Sequence, residues 1–183
     1  MRIRSKLTTI ALAAGLVVGG VAGPARAATT GNTTATFTIT AGGLAITVPS
    51  STVALGTVNT GAGSVSGQLG AVTVDDTRGA LVNSWTNTVS STTFALNGGT
   101  ATTNETVALT NIAYSSGLST AHTGLGAFVP SGTVSDFTTA KAAGTHTGFA
   151  GNSSTTWNPT LTLTLLSSQV AGTYTGTITH SVA

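Results

Sequence analysis

Leu161-Thr162-Leu163-Thr164-Leu165 alternates apolar and hydroxyl side chains without a break. Successive side chains of an extended chain point to opposite faces, so three leucines lie on one side and two threonines on the other. Thr36-Phe37-Thr38-Ile39-Thr40 and Tyr174-Thr175-Gly176-Thr177-Ile178-Thr179 repeat the pattern. Period-two candidates also cover 44–48, 53–58, 70–74, 85–89, 93–96, 107–114 and 133–137. Turn formers separate them: Ala41-Gly42-Gly43, Pro49-Ser50-Ser51, Asn97-Gly98-Gly99, Pro130-Ser131-Gly132 and Ala171-Gly172;. After the N-terminal segment no stretch carries a 3.6-residue period over ten positions;. The expected fold is therefore all-β: an antiparallel β-sandwich of Greek-key type with about nine strands. Residues 138–156, polar and glycine-rich, read as a surface excursion, and 136–144 hold at most a turn or two of helix. Gly63-Ser64-Val65-Ser66-Gly67 reads as a Gly/Ser loop.

The N-terminal end has a different grammar. Arg2, Arg4 and Lys6 precede an apolar run, and the small-x-small triplet Ala25-Arg26-Ala27 follows Gly23-Pro24. That order is the basic, apolar and cleavage-site sequence of a secretory signal. A spanning helix needs about 20 apolar residues, and Ile10 to Ala22 supplies thirteen. Cleavage is expected after Ala27. Residues 1–27 are then a signal peptide and 28–183 a single β-sandwich domain, with no membrane span in the mature chain and a secreted or extracellular destination.

Cleavage changes the charge. Four of the six basic residues leave with the signal, so Arg78 and Lys141 face Asp75, Asp76, Glu105 and Asp136, a formal charge of −2. A nucleic-acid partner requires a basic patch to neutralise phosphates, and two cations cannot build one. Threonine takes the place of charge, with 38 of them after Ala27. A β-branched hydroxyl residue suits the wet face of a strand. The chain has no cysteine, hence no disulfide and no thiol for a lipid anchor. Edges so poor in charge are weakly defended against pairing with another chain, which makes self-association an expectation.

No catalytic constellation is visible. There is no Gly-x-Ser-x-Gly elbow between a strand and a helix. His122 and His146 sit among Thr and Gly, and His180 falls on the last strand candidate, none beside a carboxylate that would orient it;. Asp75 and Asp76 are adjacent and so point to opposite faces of a strand, which prevents them from converging on one bond. They read as a strand end, with Arg78 giving a local ion pair before Gly79. Calcium is the competing reading of these acids, but six to eight oxygens in a calcium-loop spacing are missing. Three scattered histidines offer no zinc spacing either. Neither a metal nor a cofactor is expected. Trp85, within a strand candidate, reads as a core anchor. Trp157 sits between Gly151-Asn152-Ser153-Ser154 and Pro159, which places it at a loop edge where an indole is able to stack on a sugar ring. Tyr114 and Tyr174 read as core or edge residues with a wet hydroxyl.

The block Leu69-Gly70-Ala71-Val72-Thr73-Val74-Asp75-Asp76-Thr77-Arg78-Gly79, followed by Trp85-Thr86-Asn87-Thr88-Val89 and Phe94, resembles the WxL family of bacterial cell-surface proteins. The matching positions are Asp76, Arg78, Gly79, Trp85 and Phe94, and Leu161–Leu165 is similar to a second family motif. Thr86-Asn87 replaces the Leu of Trp-x-Leu, and Leu163 stands in place of the second Trp. The resemblance implies a β-sandwich that attaches non-covalently to peptidoglycan. Taken together, these readings lead to a non-enzymatic secreted or cell-surface protein that associates with the cell-wall polymer or with other surface proteins. Trp157, Trp85, Asp76 and Arg78 are the candidate binding residues. The alternatives are a self-assembling structural subunit and a carbohydrate-binding module.

Overall fold

The computed structural model describes residues 31, 33–148 and 150–183. The expected signal peptide and its cleavage site lie outside the described residues. The unit Ile39–Ala183 is compact and holds every strand found among the described residues, whereas the described residues before it carry no regular structure.

Among the described residues the fold is all-β and every strand pair is antiparallel, but there are four sheets and fifteen strands rather than one sandwich of about nine. The excess has a local cause: long strands are cut where they turn a corner. β2 (Ser64–Gln68) stops at Leu69-Gly70-Ala71 and resumes as β3 (Val72–Asp76). Alongside, β12 (Ser153–Trp157) stops at Asn158-Pro159 and resumes as β13 (Thr160–Thr164). The register carries across the break, with Gln68 opposite Thr160 and Val72 opposite Trp157. Pro159 has no N–H for a ladder, yet its carbonyl accepts from Leu69 N–H at 2.8 Å. The Asn158 side chain accepts from Gly70 N–H at 3.1 Å. Gly70 makes the turn at φ +94°, a conformation that a side chain would strain;.

β7 (Ile112–Ser115) and β8 (Ser119–Thr123) pair with β13 and β12 across the same corner. β1 (Leu44–Thr47) flanks β3 and β10 (Thr133–Ser135) flanks β7. The other two sheets share a second corner. β4 (Trp85–Ser91) and β5 (Phe94–Leu96) break at Thr92-Thr93, opposite the break between β14 (Tyr174–Thr175) and β15 (Ile178–Val182). Thr92 N–H donates to Thr177 O at 3.0 Å, and Thr92 Oγ1 accepts from Thr177 N–H at 2.9 Å. β11 (Lys141–Thr147) and β9 (Ala127–Pro130) complete one sheet, and β6 (Thr106–Val107) the other.

Several sequence expectations are corrected. Residues 36–40, which alternate cleanly, and the candidate at 53–58 join no ladder, because periodicity prepares a face without supplying a partner strand. The 107–114 candidate is interrupted by a 3-10 turn at Leu109–Asn111. The supposed Gly/Ser loop is β2. The supposed excursion at 138–156 contains β11 and most of β12, and no helix forms over 136–144. There Asp136, at φ +59°, instead accepts from Thr138 N–H and Oγ1 in a tight turn that delivers the chain into β11. The excursion was misread because Thr, Ser and Gly serve as readily on a half-buried strand as in a loop.

Two apolar clusters fill the interior. The larger gathers Val89, Phe94, Val107, Ile112, Tyr114, Phe137, Ala143, Leu161 and Leu163. Leu161 and Leu163 point inward while Thr164 is exposed, as the alternation requires. The smaller gathers Val72, Val74, Trp85, Phe128 and Trp157.

Candidate functional site

The four candidate residues sort into an ion pair and an aromatic stack. At the end of β3 the two adjacent aspartates diverge. Asp75 is exposed and accepts from Ser154 Oγ at 2.6 Å. Asp76 turns inward and is fully buried. Arg78 curls back over it, with Nε to Oδ1 at 2.9 Å and Nη2 to Oδ2 at 2.7 Å. Its backbone N–H adds a third bond to Oδ1 at 3.1 Å. Nη2 also donates to Ser84 O at 3.0 Å, so one guanidinium clips the 79–84 loop to the strand that precedes it. Those bonds hold the Asp76 carboxyl below its ordinary value against the opposing effect of burial, and they raise Arg78;.

Beyond Ser84 the chain enters β4 at Trp85, which is buried as expected. Its ring lies 5.2 Å from His146 at an interplanar angle of 8°, 5.8 Å from Phe128 and 6.1 Å from Trp157. Phe128 and Trp157 stack at 4.8 Å. Trp157 is not at a loop edge: it sits on β12 with no exposed surface, so it presents no face to a sugar ring. Its Nε1–H donates to the Tyr114 hydroxyl at 3.3 Å. Tyr114 is likewise fully buried rather than wet, and burial pushes its hydroxyl up to about 12. The tryptophans thus form one internal stack, and the only charged side chain among the four with solvent exposure is Arg78.

Phe128, His122 and His146 join this stack without a local sequence signal. His122 on β8 and His146 on β11 come from different sheets, yet their rings approach to 5.5 Å. His146 Nδ1 faces Asn83 O at 3.3 Å; a carbonyl only accepts, so this nitrogen carries the proton;. His122 Nδ1 meets Thr155 Oγ1 at 2.9 Å. The Nε2 atoms of both rings and Asn83 Oδ1 are buried with no hydrogen-bond partner among the described residues. No cluster of three or more His, Cys, Asp or Glu suited to a metal occurs among the described residues.

The other two acids, Glu105 and Asp136, are committed to local structure, whereas Asp75 is exposed and held across the strands by Ser154. Glu105 Oε2 accepts from the backbone and hydroxyl of both Thr100 and Thr102, which brings the group down to about 2 and caps a 3-10 turn at Thr103–Glu105. Asp136 is held low by Thr138 in its own turn. None of the histidines donates to a carboxylate among the described residues, so no base–orienter pair of the triad type is assembled;.

Buried neutral imidazoles predict acid sensitivity. Burial lowers His146 and brings His180 from its ordinary 6.5 to about 4. Between those values the unfolded chain binds a proton that the folded chain refuses, so stability is complete above pH 6.5 and declines as pH falls toward 4;. For His180 alone the loss is on the order of 3 kcal/mol, at 1.36 kcal/mol per pH unit. Urea unfolding at a series of pH values is expected to show this decline, and His180→Gln to flatten it. A parent curve level from pH 7 to 4 would contradict it.

Compared with known proteins, the chain matches no family model, no curated protein and no solved structure.

Proposed function

We propose that the chain is an exported, non-enzymatic surface protein that binds non-covalently to the cell-wall polymer or to other surface proteins. One observation carries this reading: most of the groups that would perform chemistry are already spent on the fold. Asp76 is held by Arg78, Glu105 and Asp136 cap their own turns, and burial lowers both His146, which is fully buried, and His180, which is half-buried;. The signal-like N-terminus and the resemblance to WxL surface proteins at Asp76, Arg78, Gly79, Trp85 and Phe94 support the same compartment. In this reading the four sheets are two layers, each creased once, and joining strands across the creases leaves ten composite strands of a Greek-key sandwich. The exported chain is expected to sediment with purified peptidoglycan-containing walls above an albumin control. Recovery wholly in the supernatant would remove the wall-binding reading.

A second reading, self-association, is favoured by a specific feature. β2 and β14 are the outermost strands of their sheets. Neither is blunted by a charged residue or a proline;.

A further inference from the structure

β2 and β14 border an apolar groove of about 590 Å³, whose walls include Leu55, Val65, Phe94, Leu163, Leu165 and Tyr174. Residues 53–58 pass beside β2 without pairing to it. They approach so closely that a Cβ on Gly67 would lie 3.0 Å from Leu55 Cα, yet no ladder forms. The outer edge of β2 is left without a ladder partner, and no charged residue lines the groove. In shape and chemistry the groove lacks a strand: uncharged, extended, and apolar on one face.

The chain carries such a strand unused. Thr36-Phe37-Thr38-Ile39-Thr40 alternates, bears no charge and joins no ladder, and Phe37 and Ile39 are 87% and 82% exposed. Large apolar side chains left outward at alternate positions mark an unburied strand face. We propose that residues 36–40 of one copy add as a strand to the groove of a second copy, an inference that rests on the self-association reading. Phe37 and Ile39 face the groove and the three threonines face water. Main-chain bonds to the unpaired edge supply affinity, and the two inward side chains set the register. Neither surface has a charge to desolvate, so the insertion avoids the largest opposing cost.

The anchoring of the following residues points to a second copy. Gly42 N–H donates to Thr77 O at 2.8 Å, and Gly43 N–H to Thr77 Oγ1 at 2.9 Å. Ile39 is three residues from that anchor, a reach of about 10 Å. Val65 in the groove wall is twelve residues back from Thr77 along the β2–β3 strand, a contour of about 40 Å that bends once at the crease. Insertion between copies is head-to-tail, and it closes as a reciprocal dimer or runs on as a chain.

The test measures the mass of the exported chain by light scattering over a concentration series, beside Phe37→Asp/Ile39→Asp. Both substitutions fall on exposed positions, and a melting curve matching the parent checks the fold. The parent is expected to form species of twice the monomer mass or more, and the double variant to stay monomeric. A labelled peptide of residues 33–43 is expected to bind that monomeric variant, whose groove is empty, and the same peptide with the two aspartates is not. A parent monomeric throughout overturns both the inference and self-association. A double variant as oligomeric as the parent overturns this strand as the donor while leaving self-association standing. A peptide that fails to bind the monomeric variant overturns the groove as the acceptor.

Discussion

Trp157→Ala is expected to destabilise the protein by about 4 kcal/mol, within the range for a fully buried aromatic truncated to alanine. Three losses combine. The indole is 0% exposed, so its removal opens a cavity that the surrounding sheets cannot close without shifting β12 against β3 and β8. The stack with Phe128 at 4.8 Å and Trp85 at 6.1 Å disappears; such pairs add about 0.5–1.5 kcal/mol beyond area. The Tyr114 hydroxyl, itself buried, loses its donor;. Domains of this kind are stable by only about 5–15 kcal/mol, so a large share of the folded population is at stake at 37 °C. Trp157→Phe keeps the stack and loses the hydrogen bond, and is expected to cost about half as much or less. Urea unfolding followed by far-UV circular dichroism separates them. A Trp157→Ala cost under about 1 kcal/mol would mean that the indole is not in the core.

The second large effect is expected at the ion pair. Arg78→Met leaves the fully buried Asp76 carboxylate with no countercharge. Breaking a buried pair costs about 3–5 kcal/mol. Arg78 is 35% exposed, and water already screens part of its charge;. The expected loss is therefore about 2–3 kcal/mol at pH 7. Its pH dependence has a definite sign. Asp76 titrates below its ordinary 3.8 in the folded parent, so the pair stabilises fully above that value and loses its contribution as pH falls through the lower folded value;. Parent and variant are expected to converge only once pH falls below the lowered folded value of Asp76;. Adding Asp76→Asn to Arg78→Met removes the buried charge and is expected to recover part of the stability. If the double variant is no more stable than Arg78→Met, the loss comes from the loop clip to Ser84 and not from the carboxylate.

These two sites differ in how far they were legible. The Asp76–Arg78 pair spans two residues and follows from a strand end, so its existence is readable from local sequence. Trp85 as a core residue is equally local, since it alternates inward with Asn87 and Val89. Trp157 is the opposite case. Its neighbours Asn152, Ser153, Ser154 and Pro159 carry the composition of a loop, and only pairing with Val72 and Ser119 makes the segment a strand. His146 is similar: Thr and Gly surround it in sequence, whereas β4 on one side and β9 on the other bury it.

By itself the sequence determined the period, and with it an all-β chain with leucines and valines inward and threonines outward. It did not mark the bends: Gly70 opens one strand candidate and Gly176 lies inside another, although Gly70, Pro159 and Gly176 each interrupt a ladder. The tertiary structure alone decided that these interruptions are corners within continuing strands and not ends, since a break becomes a corner only when its neighbour breaks at the same register. It alone brought Trp85, Phe128, His146 and Trp157 from four strands into one stack, and left residues 36–40 and 53–58 without a ladder. The physical reason is common to all three. Alternation is a property of one strand, whereas burial and pairing belong to two strands distant in the chain, and nothing in either strand names its partner.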